Sequence, residues 1–388
     1  MLGPSGNGRS SATAALIREA MDRYPDHPRA VLVCDAGAGA PRVEEEQSLP
    51  VLFCKLSDSA SEPAQPKGVS DAYQTIFGVM NKIGARACAV IASEFQQLTP
   101  QFLDRLFWPV LGMDFDLVAP RYTRGRWEGL INRSILSPLT RALYGKHIHN
   151  PLGPDFGFST KLMRAILRQG ASTRNGSAVS PVASIVSAAV GLGLQICETE
   201  MGIRHRPPTD WGNLSALLTQ ILGPVFLDME INAPIWQRVR GSSMVPTFGT
   251  LEQAPSQGTV DTGRLMDSFQ LGAANLQDVW SLVLPPKTVL EIRKISRLPP
   301  QQFRIPDDLW VGIVYDFALA HRLRTINRDH LLRSFTPLYL GWIASYALEV
   351  SNAEQTVVER RLEQLALAYE AGKVYLLSRW RWPDRFNP

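Results

Sequence analysis

Hydrophobic positions in the first half of the chain follow two alternating rhythms. Short unbroken apolar runs, Ala30-Val31-Leu32-Val33-Cys34, Val51 to Leu56 and Ala87 to Ala92, read as strands buried on both faces. Asp116 to Tyr122 is a fourth strand of this kind, and Leu194 to Thr199 a short fifth. Between them apolar residues recur at helical spacing. They are Ala14, Leu16, Ile17, Ala20 and Met21 within Ser10 to Tyr24, then Val69, Ala72, Tyr73, Ile76, Phe77 and Met80 within Val69 to Lys82. Thr99 and Pro100 open a further helix as N-cap and first-turn proline. Ser180 to Val190 and Leu214 to Ile231 also read as helices. Strand and helix in alternation predict an α/β sheet with parallel order. Ligands of such sheets lie beyond the carboxyl ends of the strands, so Asp35, Ser93-Glu94 and Arg121 to Arg126 are candidates to line one crevice.

The pattern breaks between Gly249 and Gly263, a polar stretch with Pro and Gly. Beyond it the spacing is helical almost to the end: Arg264–Leu284, Lys287–Arg297, Asp307–Arg322, Asp329–Leu331, Pro337–Val350 and Glu354–Arg379. The expected domains are therefore an α/β domain over 1–250, a linker over 251–263 and an all-α domain over 264–388, which is a candidate homo-oligomer module.

With 45% hydrophobic residues a chain of 388 can build full cores. The formal net charge of +4 comes without a basic run interleaved with aromatics, which argues against a nucleic-acid groove. The four cysteines (Cys34, Cys54, Cys88 and Cys197) stand singly in apolar segments, which excludes Cys-x-x-Cys zinc and redox motifs and suits a reducing cytoplasm. No signal peptide opens the chain, and no apolar run is expected to reach transmembrane length.

One stretch stands apart: Asn150-Pro151-Leu152-Gly153-Pro154-Asp155-Phe156-Gly157-Phe158-Ser159. Its two prolines and two glycines argue for a loop rather than a helix or a central strand. Ser137 to His149, before it, is basic and reads as helical, and Ser159 can cap a helix running to about Gln169. A rigid turn holding one carboxylate, Asp155, suits a substrate site. The same pattern also describes an ordinary turn whose Asp caps a backbone amide.

The wider segment resembles the retaining GT-A glycosyltransferases around mannosylglycerate synthase and glucosyl-3-phosphoglycerate synthase. The resemblance rests on Asp116-Leu117-Val118-Ala119-Pro120-Arg121-Tyr122 for "D-L-V-x-P-x-Y", and on Pro138-Leu139-Thr140-Arg141-Ala142-Leu143-Tyr144-Gly145 for "P-L-T-R-A-L-x-G". Pro151 to Ser159 matches "P-x-G-G-D-F-G-F-S", with Pro154 in place of the second Gly. The resemblance implies a GT-A fold, Rossmann-like with a mostly parallel sheet, that binds a nucleotide sugar. It implies transfer of a hexose from GDP-mannose or UDP-glucose to a small hydroxylated acceptor such as glycerate, with retained configuration. The departing phosphate would take the acceptor proton, without a protein nucleophile.

The resemblance also assigns roles. A divalent metal, manganese or magnesium, would be held by Glu94, in the place of the second acid of "D-x-D", and by His205, in the place of a loop His. Pro4 and Asn7 in a turn, Asp35 and Gly37 after the first strand, and Lys67 would meet the donor. Gly125 and Arg126 match the first half of an acceptor-binding "G-R-V-T", and Asp155 is the other acceptor-side and candidate catalytic group. The departures are as specific. Ala92 replaces the first acid of "D-x-D", Val182 the acid of "G-I-D", Arg206 an acid beside the His, and Trp127-Glu128 the "V-T". Only Met1 and Leu2 precede the Gly3 to Asn7 turn, so either an upstream start supplies the first strand or the sheet is open there. These departures support a rival expectation, a non-catalytic binding or regulatory protein on the same scaffold.

Overall fold

A computed structural model describes residues 7–27, 30–35, 42–46, 48–54, 67–91, 98–153, 155–172, 181–203, 213–250, 252 and 258–382. The chain opens with α1 (Asn7–Met21), β1 (Leu32–Asp35), β2 (Arg42–Glu46), β3 (Leu49–Cys54), α2 (Lys67–Lys82), β4 (Ala87–Val90) and α3 (Pro100–Met113). There follow β5 (Leu117–Thr123), a π-helical turn over Asn132–Leu136, α4 (Ser137–Tyr144), β6 (Lys146–His147), β7 (Phe156–Ser159), α5 (Thr160–Ser172) and α6 (Pro181–Gly191). Next come β8 (Ile196–Ile203), α7 (Leu214–Ile231), α8 (Ala233–Trp236), β9 (Ser243–Met244) and β10 (Thr247–Phe248). The rest is helical: α9 (Thr262–Asn275), α10 (Gln277–Val283), α11 (Pro286–Ile295), α12 (Asp307–Leu323), α13 (Arg328–Val350) and α14 (Gln355–Arg381).

The fold is mixed α/β and falls into two compact units. One comprises Met1–Tyr122, Asn150–Gly202 and Val245–Leu251, the other Thr123–His149, Ile203–Met244 and Glu252–Pro388. This division differs from the expected boundary near residue 250, because 123–149 and 203–244 cluster with the C-terminal helices.

In the first unit β1, β3 and β2 form one sheet, and β10-β8-β5-β7-β4 a second. The sheets are not mostly parallel, which corrects the sequence expectation. β1 pairs parallel with β3, and β8 runs parallel with both β10 and β5, but β2–β3, β4–β7 and β5–β7 are antiparallel, so the sheets are mixed. β2 is Arg-Val-Glu-Glu-Glu, a charged, largely exposed edge with Val43 as its single strong strand former, and the apolar pattern does not reveal it. β7 falls in the Pro/Gly segment read as loop, yet it is a central strand, with Val90 opposite Phe156 and Ala87 opposite Ser159. Gly157 is what the position needs: a Cβ there would lie 2.3 Å from the carbonyl oxygen of Leu106, because α3 crosses directly over β7. Ser159 caps α5 as expected, its hydroxyl accepting from the Leu162 amide at 3.3 Å. Thr99 likewise caps α3 by accepting from the Phe102 amide at 3.1 Å.

The core of this unit sits between the second sheet and helices α1 and α3. Val118, Tyr122, Cys197 and Met201 pack on Ala20, Phe102, Leu103, Leu106 and Val110. A smaller core joins Ala14 to Leu32, Cys34, Leu49, Val51 and Phe53.

The second unit is predominantly helical. Gly145, in a left-handed conformation (φ 68°), ends α4 before His149, and β6 pairs with β9 where the sequence pattern suggested more helix. Helices α9 and α7 pack on α13, and α4 and α12 on α14. A row of aromatics on α13, Phe335, Tyr339, Trp342 and Tyr346, stacks with successive interplanar angles of 13°, 3° and 10°. The pattern around Pro337 suggested two helices, but α13 runs unbroken through it. The proline ring lies where a Cβ on Gly272 of α9 would be, its own Cβ 2.3 Å from that point, so tertiary packing holds a helix that local preference breaks. Contrary to the expectation for membrane length, Leu214–Ile231 is long and apolar enough to cross a bilayer by length and composition alone. Here α7 packs against α12 and α13 with Leu218, Leu222 and Phe226 buried.

Candidate functional site

The two motif stretches meet in the first unit through three hydrogen bonds. The Ser159 hydroxyl donates to Asp116 Oδ1 at 2.7 Å. The Asn150 side-chain amide donates to the Pro120 carbonyl at 2.9 Å. The Tyr122 hydroxyl donates to Asp155 Oδ2 at 2.5 Å. Asp116 also accepts the Gln195 amide at 3.1 Å, which ties the start of β5 to the start of β8. Asp155 is fully buried, at 0% exposure, and its bond to Tyr122 fastens the segment before β7 to the end of β5. This accounts for a carboxylate at the position without any bound acceptor. As placed, Asp155 acts on neighbouring structure through Tyr122 rather than facing solvent.

Strands β5 and β8 run side by side in one direction. Leu117 donates to the Gln195 carbonyl at one end, and Arg121 meets Glu200 at the other. Their carboxyl ends therefore share one edge, where α/β folds take ligands. Arg121 Nε lies 3.2 Å from Glu200 Oε1. Glu198 and Glu200 are almost fully buried, at 1% and 2% exposure.

Gly125, Arg126 and Glu128 belong to the second unit. Glu128 Oε2 accepts the Gly125 amide at 2.8 Å and so closes the turn. Arg126 Nη1 donates to the carbonyls of Val350 and Ser351 at 2.9 and 2.5 Å, capping the C-terminus of α13 with a positive charge. The Arg126 carbonyl accepts from Tyr346, and Trp127 packs edge-on against the Tyr346 ring.

The remaining candidates are placed only in part. Pro4, Gly37, Glu94 and His205 lie outside the described residues. Asn7 is the first residue of α1, Asp35 the last of β1 and Lys67 the first of α2, each described by its backbone alone. Asp35 does end a parallel strand, as its pattern implied. Among the described residues no three His, Cys, Asp or Glu side chains converge as a metal site would require, so these residues do not by themselves fit a divalent ion.

The thiols offer no nucleophile. Burial pushes Cys34 up to about 11 and Cys88 and Cys197 up to about 12, Cys197 with a further push from Glu198. Cys54 is raised as well, by burial. All four stay protonated at neutral pH.

Sequence reading placed Arg121 and Tyr122 within a stretch expected to line the crevice, without a role for either, and passed over Asn150 and Glu200 as side chains with work to do. A signal was present for the last. Glu198 and Glu200 stand two apart in a strand of otherwise apolar and small residues, which puts two carboxylates on one sheet face. The partners Arg121 and Asn150 come from elsewhere in the chain and have no local signature.

No protein-family model matches this chain, and no curated protein matches it. Solved structures do show a likeness. Glucosyl-3-phosphoglycerate synthase from Mycobacterium tuberculosis, in complex with manganese, UDP-glucose and phosphoglyceric acid, is 15% identical, with a TM-score of 0.39 over 59% of this chain and 76% of that one. The same enzyme with manganese, UDP-glucose and glycerol 3-phosphate is also 15% identical, with a TM-score of 0.39 over 59% and 77%. A mycobacterial protein of unstated activity is 15% identical, with a TM-score of 0.36 over 56% and 70%. A likeness at these values carries no argument about chemistry.

Proposed function

We propose that this protein is a retaining glycosyltransferase that moves a hexose from a nucleotide diphosphate sugar, GDP-mannose or UDP-glucose, to a small acceptor such as glycerate. The observation that supports it is the mutual pairing of the two motif stretches. Asp116 with Ser159 and Tyr122 with Asp155 join the polar motif positions of one stretch to those of the other, and Asn150, just before the second motif, holds the Pro120 backbone carbonyl. A chance match of two short patterns gives no reason for such contacts across separations of 43, 30 and 33 residues.

In this reading Asp35, Lys67 and the Pro4, Asn7 and Gly37 positions hold the donor. Gly125 and Arg126 present the acceptor, and Asp155 acts through the Tyr122 hydroxyl it holds. Glu94 and His205 are the proposed metal ligands. A divalent ion bound there would neutralise the leaving diphosphate.

The test is calorimetry with GDP-mannose and UDP-glucose, each with and without manganese. One donor is expected to bind, more tightly with manganese, because metal and diphosphate complete each other's coordination. Glu94→Ala and His205→Ala are each expected to abolish that coupling. Manganese without effect on the wild type removes Glu94 as a ligand. A second reading, a non-catalytic binding protein on this scaffold, is favoured by Ala92 and Val182 where acids are expected. Donor binding without turnover of any acceptor would select it.

The acceptor side carries its own prediction. Arg126 has Nη1 committed to α13, and the Glu128 carboxylate stands in the same turn. An acceptor phosphate beside that carboxylate would meet repulsion of several kcal/mol where water is scarce. Glycerate or a neutral polyol is expected to be preferred to 3-phosphoglycerate, and Glu128→Thr to move the kcat/KM ratio toward the phosphorylated acceptor. A wild type that already prefers phosphoglycerate defeats the charge argument.

A further inference from the structure

Arg121 fills the second unspecified position of "D-L-V-x-P-x-Y" and stands among the residues expected to line the crevice, yet the function proposed above gives it no role. It lies in β5 on the face opposite Val118 and Tyr122, and so away from the apolar core. Its side chain is 23% exposed, while that of Glu200 is 3% exposed. A carboxylate that deep is costly to ionise without positive charge nearby, and the Arg121 guanidinium supplies such charge. The closest approach of the pair is through Nε, 3.2 Å from Oε1, an ion-pair contact rather than a hydrogen bond. Among the described residues the two terminal amino groups of Arg121 have no hydrogen-bond partner. A pair built only to neutralise a buried acid would turn the two-pronged face to it, since the bidentate arrangement is the stronger. Here that face is left over, on a side chain drawn to a buried carboxylate near the shared carboxyl edge of β5 and β8, with a geometry that matches phosphate oxygens.

We propose that Arg121 is an anion-binding residue that takes the diphosphate of the donor, with Glu200 as its positioning residue. The proposal rests on the glycosyltransferase reading, because that reading supplies the diphosphate. Ground-state binding is the function assigned to it, and no covalent step is involved.

The experiment measures binding of UDP, GDP, uridine, guanosine and inorganic pyrophosphate by calorimetry, in EDTA and again with manganese. The proteins are wild type, Arg121→Lys and the double variant Arg121→Gln/Glu200→Gln. The double variant removes both charges together and leaves no buried acid unpaired, which protects folding. Expected is a loss of about tenfold in affinity for the preferred nucleoside diphosphate in the double variant, as for losing a charge-assisted hydrogen bond. The lysine variant should fall between, because it keeps the charge but not the fork. Affinity for the bare nucleoside should not change, and pyrophosphate should compete in the wild type only. A purely structural pair would lower thermal stability and leave the gap between diphosphate and nucleoside affinities intact. That result overturns the proposal while the glycosyltransferase reading stands. A wild type that binds no nucleoside diphosphate under either condition overturns both.

Discussion

Gly157→Ala is expected to destabilise the protein by about 3 kcal/mol, the upper range for forcing atoms into a packed interior. The added methyl would lie 2.3 Å from the Leu106 carbonyl oxygen, 3.1 Å from the carbonyl carbon and 3.3 Å from the Cα. Those are backbone atoms of α3, so no rotamer change relieves the clash. The helix has little room to lift, because Phe102, Leu103, Leu106 and Val110 are all buried in the core beneath it. Nor can β7 retreat, since it is paired on both sides, with β4 and β5. The strain should also reach Asp155, two residues earlier, and loosen its bond to Tyr122. Urea unfolding of the wild type and the variant measures the effect. A difference within about 0.5 kcal/mol, the range of neutral surface changes, would mean that α3 does not sit on β7 as described.

The second large effect is a pH dependence seated in α12. His321 is 3% exposed, with its ring against Phe226, and its Nδ1 has no hydrogen-bond partner among the described residues. Burial first, and then the charges of Arg328 and Arg324, hold it down at about 3, against 6.5 for an ordinary histidine. The unfolded chain therefore takes up a proton that the fold refuses. The stability involved is complete above pH 6.5 and drains away as pH falls toward 3, with about 4 kcal/mol at stake over the window. Asp316, on the same helix, works in the opposite sense. Burial raises it from 3.8 to about 7, against the lowering pull of Arg379 and the Tyr375 hydroxyl. The fold holds that proton more tightly than the unfolded chain does, so its contribution grows as pH falls from 7 toward 4. The two partly cancel in the wild type. His321→Leu, which replaces a neutral ring with an apolar side chain, should leave the Asp316 slope alone. Its stability should then hold or rise between pH 6.5 and 4, where the wild type loses more. Urea midpoints at a series of pH values decide this. Parallel curves for the two proteins would show that His321 protonates as easily in the fold as out of it.

Much of the architecture was legible in local pattern. The runs at Leu32, Val51, Ala87 and Leu117 are strands because an unbroken apolar stretch has nowhere to go but the inside of a layered sheet. Leu214–Ile231 has the predicted bounds, and Thr99 caps α3 as its chemistry required. Those features depend on residues within a turn or two of one another. Composition likewise determined that the cysteines stand alone, and the folded environment then holds each thiol protonated.

What only the tertiary structure decided involves partners distant in the chain. Phe156–Ser159 is a central strand because β4 and β5 pair with it on either side, and Gly157 is there because the α3 backbone passes over it. Neither neighbour is visible from the Pro/Gly content of the segment, which correctly reports weak local preference. The helix through Pro337 survives because Gly272, 65 positions earlier, leaves a hollow for the ring (272 to 337). At the candidate site the motifs named Asp155 and Arg126 by type and order. Folding set what each one touches: the Tyr122 hydroxyl for the acid, and the carbonyls ending α13 for the arginine. The Arg121/Glu200 pair is the clearest case. Arg121 alone is one charge in a stretch expected to line a crevice and Glu200 an unremarked charge in a strand, and only the alignment of β5 beside β8 brings the buried carboxylate to the guanidinium. Charge, unlike hydrophobicity, has no periodic signature along the chain, because its partner is selected by contact in space rather than by spacing in sequence.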